Sequence, residues 1–440
     1  MVVTIVVLLI LAGVSISLVV DKNGIIQKSK DARREYGQAK ANEQEQMDNA
    51  GDWIDEVVTG KKSNVVKSFK EAKTENSTID GKKEGNANNP TIPAGYIPIN
   101  TETSNWGNGK DAPSQDSVNH GLVIKDEKNN EWVWVPVDKA TLATMYEESS
   151  DEKTLCGTTG ETAVKTKIYS KSITIGTDSN KTTISRTTPG TTSYREPDLV
   201  VGNGSSFDTR DSYYKIILGD TGTKEQLAQL FVDEYKSMIE SVSKYGGFYI
   251  GRYELSSVGV QKDKETLTNT NWYNLYKKCT ELNASDKVKT QMIWGCQWDV
   301  TMNWLISSGA KTSNEVNTDS SSWGNYKGTS VKADDGKTEL KASGTREKLN
   351  TGKTTFTMAN NIYDLAGNVW EWTQEAYHTG ARAHRGGNYY DSGSYYPASY
   401  HNFNNPADRN YGNERFSSHF NNKVTLDFRA WAPVWRIIVK

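Results

Sequence analysis

The chain has 440 residues, of which 24% are charged, and a formal net charge of −2. This length allows two or three domains with a sizeable core. The near-neutral charge gives no electrostatic reason to expect binding to nucleic acid. The three cysteines, Cys156, Cys279 and Cys296, are too few and too scattered for a disulfide framework or a zinc site, and they leave the cellular compartment open.

An almost unbroken apolar run occupies residues 1–20. As a helix that rises about 1.5 Å per residue, it would cross a hydrocarbon core of about 30 Å, so we predict a membrane helix. A cleaved signal peptide is the alternative, but the run has no basic leading segment and no clear small-residue cleavage site after it. Residues 25–58 are rich in helix formers with sparse apolar positions, which predicts a polar stalk.

Together, residues 1–58 resemble the N-terminal helix of type IV pilin-like proteins of Gram-positive bacteria. The resemblance implies a membrane anchor and association with other pilin-like subunits. The prepilin cleavage signature of that family, a Gly at the cleavage point and often a Glu five residues later, is missing. Basic residues at 28–34 follow the run, and the positive-inside tendency leaves the membrane orientation open.

The next segments alternate between polar and apolar patterns. Residues 59–116 are polar and contain four prolines, so we predict a linker. Alternating apolar residues at 121–125 and 131–136 predict two strands joined in a hairpin. Residues 149–222 are rich in Thr, Ser, Lys and Gly with little periodicity, and we expect an insertion of loops with an edge hairpin.

Helical spacing of apolar residues over 227–245 predicts a helix that ends at Gly246-Gly247. A strand is expected to follow at 248–254, and a second helix at about 299–307.

Several fragments then occur in order: GGFYIGRYELS (246–256), QMIWGCQWDVTMNWL (291–305), YDLAGNVWEWT (363–373), RGG (385–387) and FR (428–429). They resemble the landmarks of the formylglycine-generating-enzyme-like family, for which AGNVWEW followed by RGG is the specific element. The resemblance covers residues 121–440. It implies an α+β fold with a C-type-lectin-like, formylglycine-generating-enzyme-like domain at 117–440, preceded by a long N-terminal hydrophobic helix.

Residues 388–422, called the variable window below, contain eight Asn, six Tyr, five Ser and three Phe, and no Lys, Gln, Met, Trp, Val, Ile or Leu. Replacing the two adenines of an Asn codon reaches Tyr, Ser, Asp, His, Phe, Gly, Ala, Pro and Arg, but never Lys, Glu, Gln, Met or Trp. Only Glu414 breaks this rule, so the bias indicates a codon-level cause. Tyr gives rigid contact area and Ser, Asn and Asp give adaptable hydrogen bonds, as in antibody paratopes. The alternative is an ordinary Tyr- and Asn-rich loop region of a secreted protein.

An Asn/Tyr/Ser-rich stretch after RGG is also similar to the variable regions of diversity-generating retroelements, which copy a template with adenine-specific errors into genes for C-type-lectin-like proteins. The resemblance implies a hypervariable, ligand-binding face. We expect its contacts from Asn388, Tyr389, Tyr390, Asp391, Ser392, Ser394, Tyr395, Tyr396, Tyr400, His401, Asn402, Phe403, Asn404, Asn405, Arg409, Asn410, Tyr411 and Asn413. Residues 397–399 are expected to form a fixed frame between variable positions, and Phe420 to pack inward.

Positions before the window are expected to build its support. Trp370 and Trp372 are two residues apart in an extended segment, so both should pack in the core. Arg385 is expected to form a buried ion pair, and Gly386-Gly387 to bend the chain towards the exposed region.

The enzyme family also implies a calcium site. The matching positions, which would supply two side-chain and two backbone oxygens, are Asp364, Gly367, Val369 and Glu371. The alternative is that Asp364 caps a turn and Glu371 pairs with an arginine.

Formylglycine-generating enzymes oxidise a substrate cysteine with a late pair of reactive cysteines and with copper. This chain has no cysteine after Cys296, so the thiolates of that chemistry are missing. We therefore predict a protein that is not an enzyme and requires no cofactor, with calcium as an optional ion.

The sequence thus predicts a cell-surface protein, membrane-anchored through residues 1–20 or pilus-associated. Its diversified C-terminal face would bind an unspecified protein or glycan on another cell or particle. The alternatives are an oxidase of the formylglycine-generating type and a structural pilus subunit. The sequence leaves open the ligand, the N-terminal processing, the calcium occupancy and the role of residues 149–222.

Overall fold

The computed structural model describes residues 76–78, 85–106, 113–145, 148–156, 163–169, 172–185, 196–200, 213–282, 288–378, 380–406, 420–421 and 424–428. The membrane helix and stalk predicted over residues 1–58 lie outside this part of the chain. Among the helices that the structure does describe, none combines the length and the apolar character needed to cross a membrane.

The strands in chain order are β1 (Tyr96–Ile99), β2 (Val123–Asp126), β3 (Glu131–Pro136), β4 (Glu148–Cys156), β5 (Val164–Tyr169), β6 (Ser172–Ile175), β7 (Thr182–Ser185), β8 (Gly247–Gly251), β9 (Val288–Met292), β10 (Val331–Lys332), β11 (Glu339–Lys341), β12 (Met358–Ala359), β13 (Ile362–Tyr363), β14 (Trp370–His378), β15 (Ala381–Arg385), β16 (His401–Asn404), β17 (Phe420–Asn421) and β18 (Val424–Phe428). The α-helices are α1 (Gln115–Asn119), α2 (Lys139–Met145), α3 (Tyr213–Leu218), α4 (Lys224–Tyr245), α5 (Trp272–Thr280), α6 (Gly295–Ser307) and α7 (Ser313–Asn317), with a 3₁₀ turn at Thr355–Thr357.

A six-stranded antiparallel sheet of order β1-β2-β3-β8-β18-β9 separates two hydrophobic cores. Strand β3 contributes side chains to both cores, because successive side chains of a strand point to opposite faces of the sheet. Trp132 and Trp134 pack in one core, whereas Val133 and Val135 pack in the other. Both faces of the sheet are therefore buried at this strand.

Several predicted elements are confirmed. The hairpin forms from β2 and β3, which pair antiparallel. Helix α4 begins three residues before the predicted start because Thr223 and Gln226 form a capping box, and Gly246 ends it in the left-handed conformation with φ 76°. Helix α6 begins at Gly295, earlier than predicted, and the carboxylate of Glu196 accepts the backbone N–H groups of its first two residues.

Two segments differ from their predictions. Residues 85–106 were assigned to a polar linker, but they lie in the folded domain: β1 pairs with β2, and Tyr96 and Trp106 are buried in the core. These few large apolar side chains outweigh the polar composition around them because each removes a large area from water. In the described part of residues 149–222, two hairpins form, β4 with β5 and β6 with β7, whereas the sequence predicts one.

A second, four-stranded sheet has the order β16-β15-β14-β17. Helices and sheets are thus mixed in the described domain, which confirms the α+β class. This second sheet carries the described part of the variable window, residues 388–406 and 420–421.

Candidate ligand-binding face

The face is built between two neighbouring strands. Strand β14 pairs antiparallel with β15, and β15 pairs antiparallel with β16, so residues 386–400 connect β15 to β16. All five residues of β15 are buried, as are the first seven of β14, whereas β16 lies at the edge of its sheet. This connection therefore leaves a buried strand pair and leads to an edge strand.

Trp370 and Trp372 form the support under this connection, as predicted. They are 4% and 2% exposed, and their rings contact the ring of His384 at centroid distances of 4.5 and 5.4 Å. Burial lowers the pKa of His384 to about 3, so this histidine is neutral at physiological pH. The support is apolar and uncharged.

The bend after β15 depends on two glycines. Gly386 and Gly387 have φ values of 88° and 78°, a region that side chains other than glycine rarely adopt. A Cβ at Gly386 would lie 2.4 Å from Oε2 of Glu371, and a Cβ at Gly387 would lie 2.4 Å from the carbonyl oxygen of Tyr396. Both positions therefore require glycine, as the sequence predicted.

Residues 397–399 form a buried frame inside the window. The Trp298 indole donates to the Ala398 carbonyl at 3.1 Å, and the Ala398 N–H donates to the Ser320 hydroxyl at 2.9 Å. Arg385 Nη1 donates to the Ser399 carbonyl at 3.1 Å. These residues are thus held by side chains that precede the window, and their fixed identity between variable positions stays a prediction.

The backbone of residues 388–396 is also tied to the scaffold. The Tyr389 N–H donates to the Asn368 carbonyl at 2.9 Å, and the Asp391 carbonyl accepts the Lys327 N–H at 2.9 Å. The Tyr326 hydroxyl lies 2.9 Å from the Tyr396 carbonyl oxygen. These contacts use backbone atoms of the window, so they do not depend on which side chains the window carries.

The window presents aromatic rings to solvent. Among the described residues, four large hydrophobic side chains are exposed: Tyr395 at 67%, Val258 at 56%, Phe403 at 43% and Tyr400 at 40%. Three of the four belong to the window. Tyr396 lies between its two tyrosine neighbours, with centroids 4.6 Å from Tyr395 and 5.0 Å from Tyr400. The tyrosines thus form one contiguous patch.

Scaffold residues contact two other aromatic residues of the window, and the sequence analysis missed them. The Tyr377 and His378 rings at the end of β14 contact Phe403, at centroid distances of 4.0 and 5.6 Å. The Arg346 guanidinium lies 3.8 Å from the ring centroid of Tyr390 and donates to its hydroxyl at 2.8 Å. For Tyr377 a signal existed, because it continues the strand that begins with Trp370. For Arg346 no local sequence pattern indicated the contact.

The predicted contact residues divide by exposure. Exposed are Ser392, Ser394, Tyr395, Tyr400 and Phe403, and half-buried are Tyr390, Asp391, Tyr396, His401, Asn402, Asn404 and Asn405. For His401 the exposed part is mostly backbone, because its side chain is only 6% exposed. Four lie outside the described residues: Arg409, Asn410, Tyr411 and Asn413. The side chain of Phe420 also lies outside them.

Two predicted contacts are corrected by burial. Asn388 is 2% exposed, and its side chain both accepts from the Tyr390 N–H at 2.6 Å and donates to the Asp391 carboxylate at 2.9 Å. Tyr389 is 9% exposed. Both follow the glycine bend directly, where the chain has not yet reached the surface, so they support the face rather than contact a ligand.

Three of the residues that match the calcium positions lie between β13 and β14, and the fourth, Glu371, is the second residue of β14. Asp364 Oδ2 accepts from the Thr351 hydroxyl at 2.9 Å and the Gly352 N–H at 2.8 Å, which holds a neighbouring turn. All four are buried: Asp364, Gly367, Val369 and Glu371. In the described part of the chain no group of three or more His, Cys, Asp or Glu side chains is placed to hold a metal. The calcium site stays a prediction, which would need backbone oxygens.

Comparison with known proteins gives one family match and one structural match. Residues 301–417 match the model of the sulfatase-modifying factor enzyme 1-like domain, which confirms the predicted formylglycine-generating-enzyme-like domain over this range. Among solved structures, Treponema denticola variable protein 1 matches with 15% identity and a TM-score of 0.21, covering 64% of this chain and 100% of that one. No curated protein matches.

Proposed function

We propose that this chain is a surface-displayed ligand-binding protein. In this proposal a C-type-lectin-like domain presents residues 388–422 as a binding face, and a retroelement diversifies that face by adenine mutagenesis. The observation that carries the proposal is the exposure of Tyr395, Tyr400 and Phe403 on a backbone that the scaffold holds in place. A contiguous exposed patch of rings, such as that of Tyr395, Tyr396 and Tyr400, is unfavourable in water unless it serves recognition.

The arrangement separates support from contact. Backbone groups of the window bond to Asn368, Lys327 and Tyr326, none of which lies in the window. Exchange of an exposed window side chain would therefore leave these bonds intact. A rigid scaffold with exchangeable contact residues is the design by which a binding protein changes specificity without losing its fold.

Chemistry of the face favours binding over turnover. Tyrosine and phenylalanine rings are typical anchors of protein interfaces, and the serine and asparagine side chains between them supply hydrogen bonds. Of the three cysteines in the chain, Cys279 and Cys296 are buried in the core, where they pack as small apolar side chains. The ligand we propose is a protein or glycan on another cell or particle, reached from a membrane anchor at residues 1–20.

Genomic DNA around the gene tests the diversification. We expect a reverse-transcriptase gene nearby and a near-copy of the codons for residues 388–422 that differs from the gene only at adenines of the copy. A neighbourhood without such a copy, or a copy that differs equally at all four bases, would refute the retroelement.

An activity assay tests the competing oxidase. The purified chain is loaded with copper and incubated with a cysteine-containing peptide, and formylglycine is measured by mass spectrometry. We expect no conversion above a copper-only control, because the late cysteine pair is missing. Conversion by the chain would place it with the enzymes. Surface display is tested by protease treatment of intact cells. We expect the added protease to cleave a C-terminal domain that is displayed outside the cell, and protection of this domain would contradict display.

A further inference from the structure

A buried cluster of charged groups lies beneath the edge strand of the face. Its members come from four elements: Asp299 of α6, Glu375 of β14, Arg385 of β15 and His401 of β16. The side chains of the first three are 0% exposed, and that of His401 is 6% exposed. Arg385 was expected to form a buried ion pair, whereas His401 was expected to be an ordinary contact residue of the window.

Distances place the His401 ring between the two carboxylates. Nε2 of His401 lies 3.8 Å from Oδ1 of Asp299, and Nδ1 lies 3.6 Å from Oε2 of Glu375. Nη2 of Arg385 contacts the same two oxygen atoms, at 2.5 and 3.3 Å. Each ring nitrogen of His401 therefore faces a carboxylate that Arg385 also contacts.

The formal charges of these four described side chains balance only when the histidine is counted as a cation. Two carboxylates and one guanidinium sum to −1, and an imidazolium brings the sum to zero. A net charge away from water is strongly unfavourable. We propose that His401 is a positioning residue of the scaffold, whose protonated ring neutralises this cluster and ties β16, with the binding face, to α6 and β14.

Within the described parts of β14 and β15, the other titratable groups make different contacts. His384 of β15 is neutral because burial between tryptophans lowers its pKa to about 3. Arg382 of β15 stacks on the Trp272 ring at 4.0 Å, and His378 contacts Phe403 at the half-buried end of β14. Glu371 of β14, a further carboxylate, is directed towards Gly386.

The cluster restricts which residues the window can carry. Position 401 is reached from an Asn codon by adenine exchange, but the same exchange also gives Asp. An aspartate at 401 would add a third carboxylate to a cluster with one guanidinium. If the window is diversified as proposed above, variants with Asp at 401 should be lost, while Asp at the neighbouring position 402 should be tolerated. The role of His401 in the fold does not depend on that diversification.

Thermal unfolding of the full chain tests the proposal with three variants. His401→Gln keeps a polar side chain without the charge, and His401→Asp inverts it. Asn402→Asp adds a charge on the same strand as the matched control. We expect Tm to fall by at least about 5 °C in His401→Gln and further in His401→Asp, and to stay within about 2 °C in Asn402→Asp.

The pH dependence distinguishes a charged ring from a merely well-packed one. A histidine that holds its proton more tightly when folded stabilises the chain fully below the unfolded value near 6.5, and this contribution is lost as pH rises above it. The Tm advantage of the wild type over His401→Gln should therefore be larger at pH 6 than at pH 9. Nitrogen-15 shifts of the His401 ring should show an imidazolium at pH 7.

Three results would overturn the proposal: an equal Tm advantage at both pH values, a neutral ring at pH 7, or a His401→Gln variant as stable as the wild type. If His401→Asp does not fold, the ring shifts of the wild type and the pH series of His401→Gln still decide the question. None of these measurements uses a ligand, so failure of the proposed binding function would leave their outcome unchanged.

Discussion

The ring of Phe403 in β16 stacks on the ring of Tyr377 in β14, with centroids 4.0 Å apart and planes inclined by 12°. Strand β15 lies between these two strands, and the register partner of Phe403 there is Ala383. A window residue thus rests on a scaffold residue that no diversification within 388–422 would change.

This stacking predicts energetic coupling between the two rings. In a double-mutant cycle of Tyr377→Ala and Phe403→Ala, we expect an interaction free energy of roughly 0.5–1.5 kcal/mol in urea unfolding. The control cycle pairs Tyr377→Ala with Tyr395→Ala, which lies in the tyrosine patch, and its effects should add. Additive effects in the first cycle would show that the stack does not stabilise β16.

Exposed and frame positions of the window should differ sharply in how far a substitution lowers the free energy of unfolding. Ser394→Asp changes an exposed side chain, and we expect the free energy of unfolding to change by no more than about 0.5 kcal/mol. Ala398→Asp buries a carboxylate at a residue that is 0% exposed, and we expect a loss of more than about 3 kcal/mol. Equal losses in chemical denaturation would contradict the division into frame and contact residues.

The glycine bend predicts that adding one methyl group at Gly386 destabilises the folded chain. Gly386→Ala forces a left-handed residue and a Cβ against the Glu371 carboxylate, so we expect destabilisation of about 1–3 kcal/mol. Gly328→Ala is the matched control, because no atom lies within 4 Å of a Cβ there. A stable Gly386→Ala variant would mean that the bend relaxes easily.

His384 predicts a pH dependence of opposite sign to that of His401. Its folded pKa of about 3 is below the unfolded value near 6.5, so the folded state resists protonation. The contribution of His384 is present above the unfolded value and is lost as pH falls from about 6.5 towards 3. In His384→Gln, unfolding free energy should fall less between pH 6.5 and 4.5 than in the wild type. If the unfolding free energy of His384→Gln falls with acid as much as that of the wild type, protonation of His384 does not cause the loss.

Much of the support could be predicted because its signals are local. The alternation in Trp370-Glu371-Trp372, the paired glycines after Arg385 and the spacing of α4 each specify an environment through neighbours in sequence. The composition of the window likewise indicated exposed aromatic rings. These are the features that the structure shows with little change.

Other features depend on residues that are distant in sequence. The role of His401 requires Asp299 of α6 and Glu375 of β14, and only the folded chain brings them together. The burial of Trp106 depends on the strands beside it. The polar composition around it therefore led to the wrong prediction of a linker for residues 85–106. No sequence pattern around Arg346 predicts its contact with Tyr390.

Two matched libraries would test the binding face most directly. One randomises the exposed window positions Ser392, Ser394, Tyr395, Tyr400 and Phe403, and the other randomises the exposed α4 positions Gln229, Asp233, Lys236, Glu240 and Ser243. Both are displayed and selected on an immobilised test protein such as lysozyme. We predict that the window library yields folded binders that differ in sequence and that the helix library does not. Unfolded window variants, or equal yields from the two libraries, would contradict a scaffold that holds an exchangeable binding face.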